Sequence, residues 1–154
     1  MSWSQVSGCL SGQHGISLEL LLPHLGGVIV EAAELASGRL CIWARARADH
    51  GACTRCGQPS VRVHSTYWRR LADAPVGGQR VLIRLTVRRF FCPAPDCPVT
   101  TFAEQVEGLT VRYARRTPPL AGMLTAVALA LAGRAGARLA RLLGCWPAGP
   151  ACCA

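Results

Sequence analysis

Four of the nine cysteines in this 154-residue chain fall into two short turns, and their spacing is the first feature with chemical meaning. Cys53-Thr54-Arg55-Cys56 and Cys92-Pro93-Ala94-Pro95-Asp96-Cys97 are separated by 35 residues. Structural zinc takes four thiolate or imidazole ligands in a tetrahedron, and two such turns supply two sulfurs each. Gly57, directly after Cys56, can adopt the positive φ that turns backbone amides toward the sulfurs. Pro93, Pro95 and Pro98 stiffen the second turn and lower the entropy lost in presenting both sulfurs together. The sequence therefore predicts one zinc per chain on Cys53, Cys56, Cys92 and Cys97, with Cys9, Cys41, Cys145, Cys152 and Cys153 dispensable. Other chemistries use cysteines in this way. Disulfide pairing suits an oxidising compartment, and four thiolates would also take iron. A redox-active Cys-x-x-Cys needs a thioredoxin-like strand and helix context, which the sequence lacks. His64 could stand in for one cysteine, but with four available a surface or hydrogen-bonding role suits it better.

The elements that must carry these turns read as strands. Residues 1 to 17 are rich in serine and glycine without periodicity and are expected to be poorly ordered. Leu18 to Leu25 has room for one or two helical turns. Val28 to Ala36 and Arg39 to Ala48 read as two strands around Ser37-Gly38, with Leu40 and Ile42 on one face and Cys41, Trp43, Arg45 and Arg47 on the other. Between the cysteine turns lie two further predicted strands, Val61 to Leu71 and Arg80 to Phe91, around a turn-rich stretch Asp73 to Gly78. A unit of this size has too small a core to hold itself together. Zinc contributes about 10 to 16 kcal/mol of apparent binding free energy in finger peptides, so Ala52 to Val99 is expected to unfold without metal.

Charge is concentrated on the same segment. The chain carries 17 basic residues, all arginine, against 8 acidic ones, for a formal net charge of +9. Residues 53 to 116 hold eleven of the arginines and only Asp73, Asp96, Glu104 and Glu107. Such a segment is either a polyanion-binding surface or a solvated arginine-rich one in a chain that uses no lysine. Period-two geometry sorts the side chains. Val81, Ile83, Leu85 and Val87 share one face, and Arg80, Arg84, Thr86 and Arg88 lie on the other with Leu82. In the preceding strand Arg62, His64, Thr66, Trp68 and Arg70 face one way. If the two polar faces coincide, Arg62, Trp68, Arg70, Arg80, Arg84 and Arg88 form a DNA-binding surface suited to phosphates and base stacking. The competing arrangement packs Trp68 against neighbouring helices and leaves the arginines inert.

From Pro118 onward the composition is helical. Leu120 to Ala132 is strongly apolar, and Gly133 to Gly144 combines Leu139, Leu142 and Leu143 with Arg134, Arg138 and Arg141. A helix ending at Gly144 reads as the first half of a helix-turn-helix. Residues 145 to 154 contain two prolines and do not continue it. Read in another frame with suitable codons, the last ten residues resemble a recognition helix, so a frameshift is one origin for this aberrant tail, and a foreign fusion or a genuine short tail would give the same composition. The longest apolar run, Leu120 to Gly133, is 14 residues, short of the roughly 20 that a bilayer core needs. The first basic residue is Arg39, so no signal peptide is expected, and a bacterial cytoplasm is the predicted compartment.

The stretch CTRCGQPSVRVHSTYWRRLADAP, followed by GGQRVLIRLTVRRFFCPAPDCPVTTFAEQ and YARRTPPLAGMLTAVALALAGRAGARLARLLG, resembles the N-terminal part of bacterial insertion-sequence transposases of the ISL-three family. The resemblance covers roughly residues 20 to 144. It implies that Cys53, Cys56, Cys92 and Cys97 correspond to the family's zinc ligands. It also implies a helix-turn-helix and, downstream of all residues here, a ribonuclease-H-like domain with an Asp-Asp-Glu triad. The expected fold is α+β: a small β-rich zinc-ribbon-like domain with a preceding β-hairpin, followed by a truncated helical segment. The expected partition is 1–17 disordered, 18–50 helix and hairpin, 51–108 zinc finger, 109–144 partial helix-turn-helix and 145–154 tail.

Transposition chemistry needs clustered carboxylates that hold two divalent metals about 4 Å apart. Glu104 and Glu107 are the closest candidates and lack a third partner. The sequence therefore predicts a zinc-dependent DNA-binding fragment rather than an enzyme, associated with the nucleoid and partnered by duplex DNA, in the resembled family the transposon ends. A zinc-stapled module that binds and modulates an intact transposase is the alternative.

Overall fold

A computed structural model describes residues 22–131, 133–143 and 145. The expectations of disorder for 1–17 and of an aberrant tail over 146–154 lie outside the described residues. Seven strands and two helices follow a short 3-10 turn at Pro23–Leu25: β1 (Val28–Ala36), β2 (Arg39–Ala46), β3 (Gly51–Ala52), β4 (Pro59–Ser60), β5 (Val63–Val76), β6 (Gln79–Phe91), β7 (Thr101–Ala103), α1 (Pro118–Leu131) and α2 (Arg134–Leu142).

The predicted hairpin forms. Ser37 and Gly38 both take positive φ, 50° and 73°, the handedness that matches the twist of two antiparallel strands. The second hairpin is longer than predicted. β5 runs on through Asp73 and Pro75, and the chain reverses at Gly77-Gly78, with φ of 56° and 75°. Two glycines at positive φ specify that tight turn better than the Asp-Ala-Pro stretch before them.

β6 is the spine of the molecule. It pairs antiparallel with β5 along most of its length, parallel with β2 through Arg39↔Arg80 to Arg45↔Thr86, and antiparallel with β7 at its far end. The sheet order is β1-β2-β6-β5, with β7 beside β6. The β2–β6 ladder places the N-terminal hairpin and the β5–β6 hairpin between the cysteine turns in one sheet, across the boundary expected between residues 50 and 51. One core spans it: Ile42 and Ala44 from β2, Leu71 from β5, and Val81, Ile83, Leu85 and Val87 from β6. Leu25, Val28, Val106 and Leu109 close it.

The helices form a hairpin around Gly133, φ 66°. Thr117 caps α1: its Oγ1 accepts from Leu120 N–H at 3.5 Å, directly before Pro118 at the first helical position. The same hydroxyl donates to Asp73 Oδ1, and Asp73 Oδ2 lies 2.7 Å from His24 Nε2. A carboxylate that sequence reading assigned to a turn is thus a buried tie between β5, the N-terminal turn and the helical hairpin. Leu120, Ala140 and Cys145 pack together against Ala72, Met123 and Leu124. Leu142 of the predicted apolar stripe is 84 % exposed, and the residues of α2 that are buried are Gly136 and Ala140. Small residues let the helices approach closely, which long leucines would prevent. A DNA-reading helix-turn-helix remains the expectation drawn from the resemblance.

Candidate metal centre and nucleic-acid interface

The two cysteine turns meet. β3 and β4 form a two-stranded ribbon whose tip is the first turn, and the second turn links β6 to β7. Gly57 has φ 76°, as its position predicted, and its N–H donates to Cys53 O at 2.8 Å. Cys53 N–H in turn donates to Gln58 O at 2.9 Å. In the second turn Cys92 N–H donates to Thr100 O at 2.9 Å and Cys97 N–H to Ala94 O at 3.3 Å.

All four sulfurs lie within 4.8 Å of one another. Cys53 Sγ and Cys97 Sγ are 4.0 Å apart, and Cys56 Sγ and Cys92 Sγ are 3.5 Å apart. A tetrahedron with zinc–sulfur bonds of about 2.3 Å has edges of about 3.8 Å, whereas a disulfide would bring the atoms to about 2.05 Å. The separations fit shared coordination of one ion and exclude disulfides among the four. Among the described residues this is the one cluster of potential ligands with three or more members. His64 is not in it. Its Nδ1 lies 2.9 Å from Ser65 Oγ, and its ring meets Phe91 edge-on at 4.9 Å.

The surroundings prepare the sulfurs unequally. The backbone N–H of Cys56, aided by that of Arg55, lowers the Cys53 thiol to about 7 by favouring its thiolate. Burial pushes the Cys92 thiol up to about 12 in the metal-free fold. Beneath them sits an aromatic base in which Phe90 and Phe102, a β6–β7 ladder pair with ring centroids 5.8 Å apart, are buried with Cys53. Gly51 allows β3 to lie on that base, since a Cβ there would stand 2.8 Å from the Phe90 ring.

The predicted basic face is assembled in part. In the β5–β6 register Thr66 opposes Arg88, Trp68 opposes Thr86 and Arg70 opposes Arg84, so these side chains do share a face. Trp68 is 70 % exposed and is not packed under the helices, and the Arg84 guanidinium lies 5.4 Å from its ring centroid. Arg80 stands on the same face beside Arg39 of β2. The β2–β6 ladder adds Trp43 opposite Arg84, a neighbour that needed the tertiary pairing to be seen.

Of the other two predicted residues, one lies off this face and one is engaged internally. A register shift between Val63 and Ser65 inverts the alternation, and Arg62 lies 4.5 Å over the Phe91 ring with His64 beside it, away from the Trp68 face. Arg88 is on the expected face but is engaged internally. Its guanidinium bonds Glu104 Oε2, through Nη2 at 2.7 Å and Nε at 3.1 Å, and donates to the carbonyls of Ala48 and Asp49.

Residues 49–97 match the family model described as the zinc-finger of transposase IS204/IS1001/IS1096/IS1165. Comparison with curated proteins and with solved structures gives no match. The matched segment opens just before β3 and ends on the fourth cysteine, so it contains both cysteine turns and the β5–β6 hairpin between them. Residues 49–97 are therefore similar to the zinc finger of these transposases, and their four cysteines are positioned to bind one zinc ion.

Proposed function

We propose that this chain is a zinc-stapled DNA-binding module of an insertion-sequence transposase, one that grips the duplex of a transposon end through the exposed face of β5 and β6. The observation that carries the reading is the rung in which Arg70 opposes Arg84, next to the exposed Trp68. No ion pair engages Arg70, Arg80 or Arg84 among the described residues, so their charge faces outward, available to phosphates. Zinc supports the face indirectly, because β6 carries Arg80 and Arg84 and also runs into Cys92.

Binding rather than cutting is the role we assign. Glu104 is taken by Arg88, Asp73 by Thr117 and His24, Glu31 by Arg45 at 3.0 Å, and Asp49 by His50 at 2.8 Å. Among the described residues no group of three or more potential metal ligands includes a carboxylate. No helix among the described residues is long and apolar enough to cross a membrane, and we assign the chain to the cytoplasm, at the nucleoid.

Anisotropy titration of the zinc-loaded chain with labelled duplex DNA tests the reading. Salt-sensitive binding that is lost on chelation is expected, and binding indifferent to both salt and zinc would sink it. The second reading, a module that docks on intact transposase, draws on the apolar surface of the helical hairpin, where Leu129 is 82 % exposed. Salt-insensitive association with purified transposase would favour it.

A further inference from the structure

The segment Val111-Arg112-Tyr113-Ala114-Arg115-Arg116 contains three arginines and no acidic residue, and it leads from the core into α1. Ala114 N–H donates to Val111 O at 3.1 Å, closing a tight turn. Tyr113 holds its third position with φ 63°, in the left-handed region that glycine or asparagine ordinarily fills. The ring does not repay that conformation by packing, since Tyr113 is 83 % exposed.

The turn is nonetheless firmly held. Arg69 of β5 donates through Nη2 to both Val111 O and Ala114 O, clamping its two ends. Just beyond it, Ala72 N–H donates to Arg115 O at 2.9 Å and Thr117 N–H to Ala72 O at 2.9 Å, so the chain runs along β5. A backbone fixed from outside thus displays a largely solvent-exposed aromatic ring. The Arg112 guanidinium lies 4.8 Å from the ring centroid and backs one face. Arg112, Arg115 and Arg116 are exposed and engage no acidic group among the described residues.

We propose that this turn is a second nucleic-acid contact, which stacks one unpaired DNA base on Tyr113 while Arg112, Arg115 and Arg116 hold the adjoining phosphates. The occupant is single-stranded rather than duplex DNA because the base faces of a duplex are already stacked on each other. An open ring backed by a guanidinium offers a platform to a base of any identity. The inference rests on the DNA reading above and adds to it the kind of strand recognised.

The test compares a blunt duplex with the same duplex bearing a thymine-tract overhang in which one base is 2-aminopurine, using the full zinc-loaded chain. The wild-type chain is expected to prefer the overhang and to quench the 2-aminopurine. Tyr113→Ala and Tyr113→Gly should each cost about tenfold in overhang affinity and abolish the quenching. Tyr113→Phe should retain both, and blunt-duplex affinity should be unchanged in all three. Tyr113→Gly relieves the left-handed backbone and should melt no lower than wild type, so lost binding there cannot be attributed to misfolding. Overhang affinity and quenching that persist in Tyr113→Ala, with duplex binding normal, would overturn this inference alone. Absence of wild-type binding to either DNA would overturn it together with the reading on which it rests.

Discussion

Arg88 and Glu104 form a largely buried ion pair, with Nη2 2.7 Å from Oε2 and the Glu104 side chain 4 % exposed. Glu104 Oε1 also accepts from Arg88 N–H at 2.7 Å, and Glu104 N–H donates to Arg88 O at 3.0 Å. Through the Ala48 and Asp49 carbonyls the same guanidinium holds the strand entry to β3 and so to Cys53. An arginine whose position in the alternation suggested DNA contact is instead an internal tie between β6, the chain after β7, and the first cysteine turn.

Arg88→Ala is accordingly expected to destabilise the fold rather than to weaken DNA binding selectively. It strands a buried carboxylate, for which losses of about 3 to 5 kcal/mol are typical. Chemical denaturation of the zinc-loaded chain measures it, and a loss under ~0.5 kcal/mol would contradict the structural role.

Substituting the cysteines separates ligands from bystanders. Cys92→Ser should abolish stoichiometric zinc, whereas Cys145→Ser, at a thiol that lies 3.5 Å from Met123 Sδ in the helical core, should leave zinc intact. Metal analysis after gel filtration reads both, and full zinc occupancy in Cys92→Ser rejects the assignment.

Salt dependence tests the basic face. With roughly three to five phosphates neutralised, the log-log slope for duplex DNA is about −0.9 per contact, and replacing Arg70 and Arg84 together should flatten it by about 1.8. Arg62→Ala should change it least, because that guanidinium rests on Phe91. An unchanged slope in the double variant would make these arginines inert surface.

Zinc affinity should fall as the pH drops. Zinc binds thiolates, so every ligand protonated in the free fold must lose its proton on binding. The Cys53 thiolate, favoured by backbone N–H groups, is present in full above the ordinary value of 9.0 and is lost as the pH falls through about 7. Cys92, pushed up to about 12 by burial, stays protonated throughout the physiological range in the metal-free fold and releases its proton to the buffer when zinc binds its sulfur. Calorimetry in buffers of different ionisation enthalpy should therefore detect net proton release near neutral pH. No proton release would contradict four-thiolate coordination.

The sequence by itself determined the metal centre. Ligand spacing, Gly57 and the prolines are local properties, and a tetrahedral ion imposes nearly the same turn wherever two such segments meet. It also determined the first hairpin and the core face of β6, because alternation survives wherever the strand is regular. Tertiary structure decided what alternation cannot encode. The β2–β6 parallel ladder joins residues distant in sequence and puts Trp43 beside Arg84. One register shift after Val63 moves Arg62 to the other face, since a single extra residue inverts a period of two. The long-range pairs Arg88–Glu104 and Asp73–Thr117 turn apparent surface and turn charges into buried ties. Arg69 holds Tyr113 in a conformation that its residue type disfavours, and only the folded chain brings the clamp and the turn together.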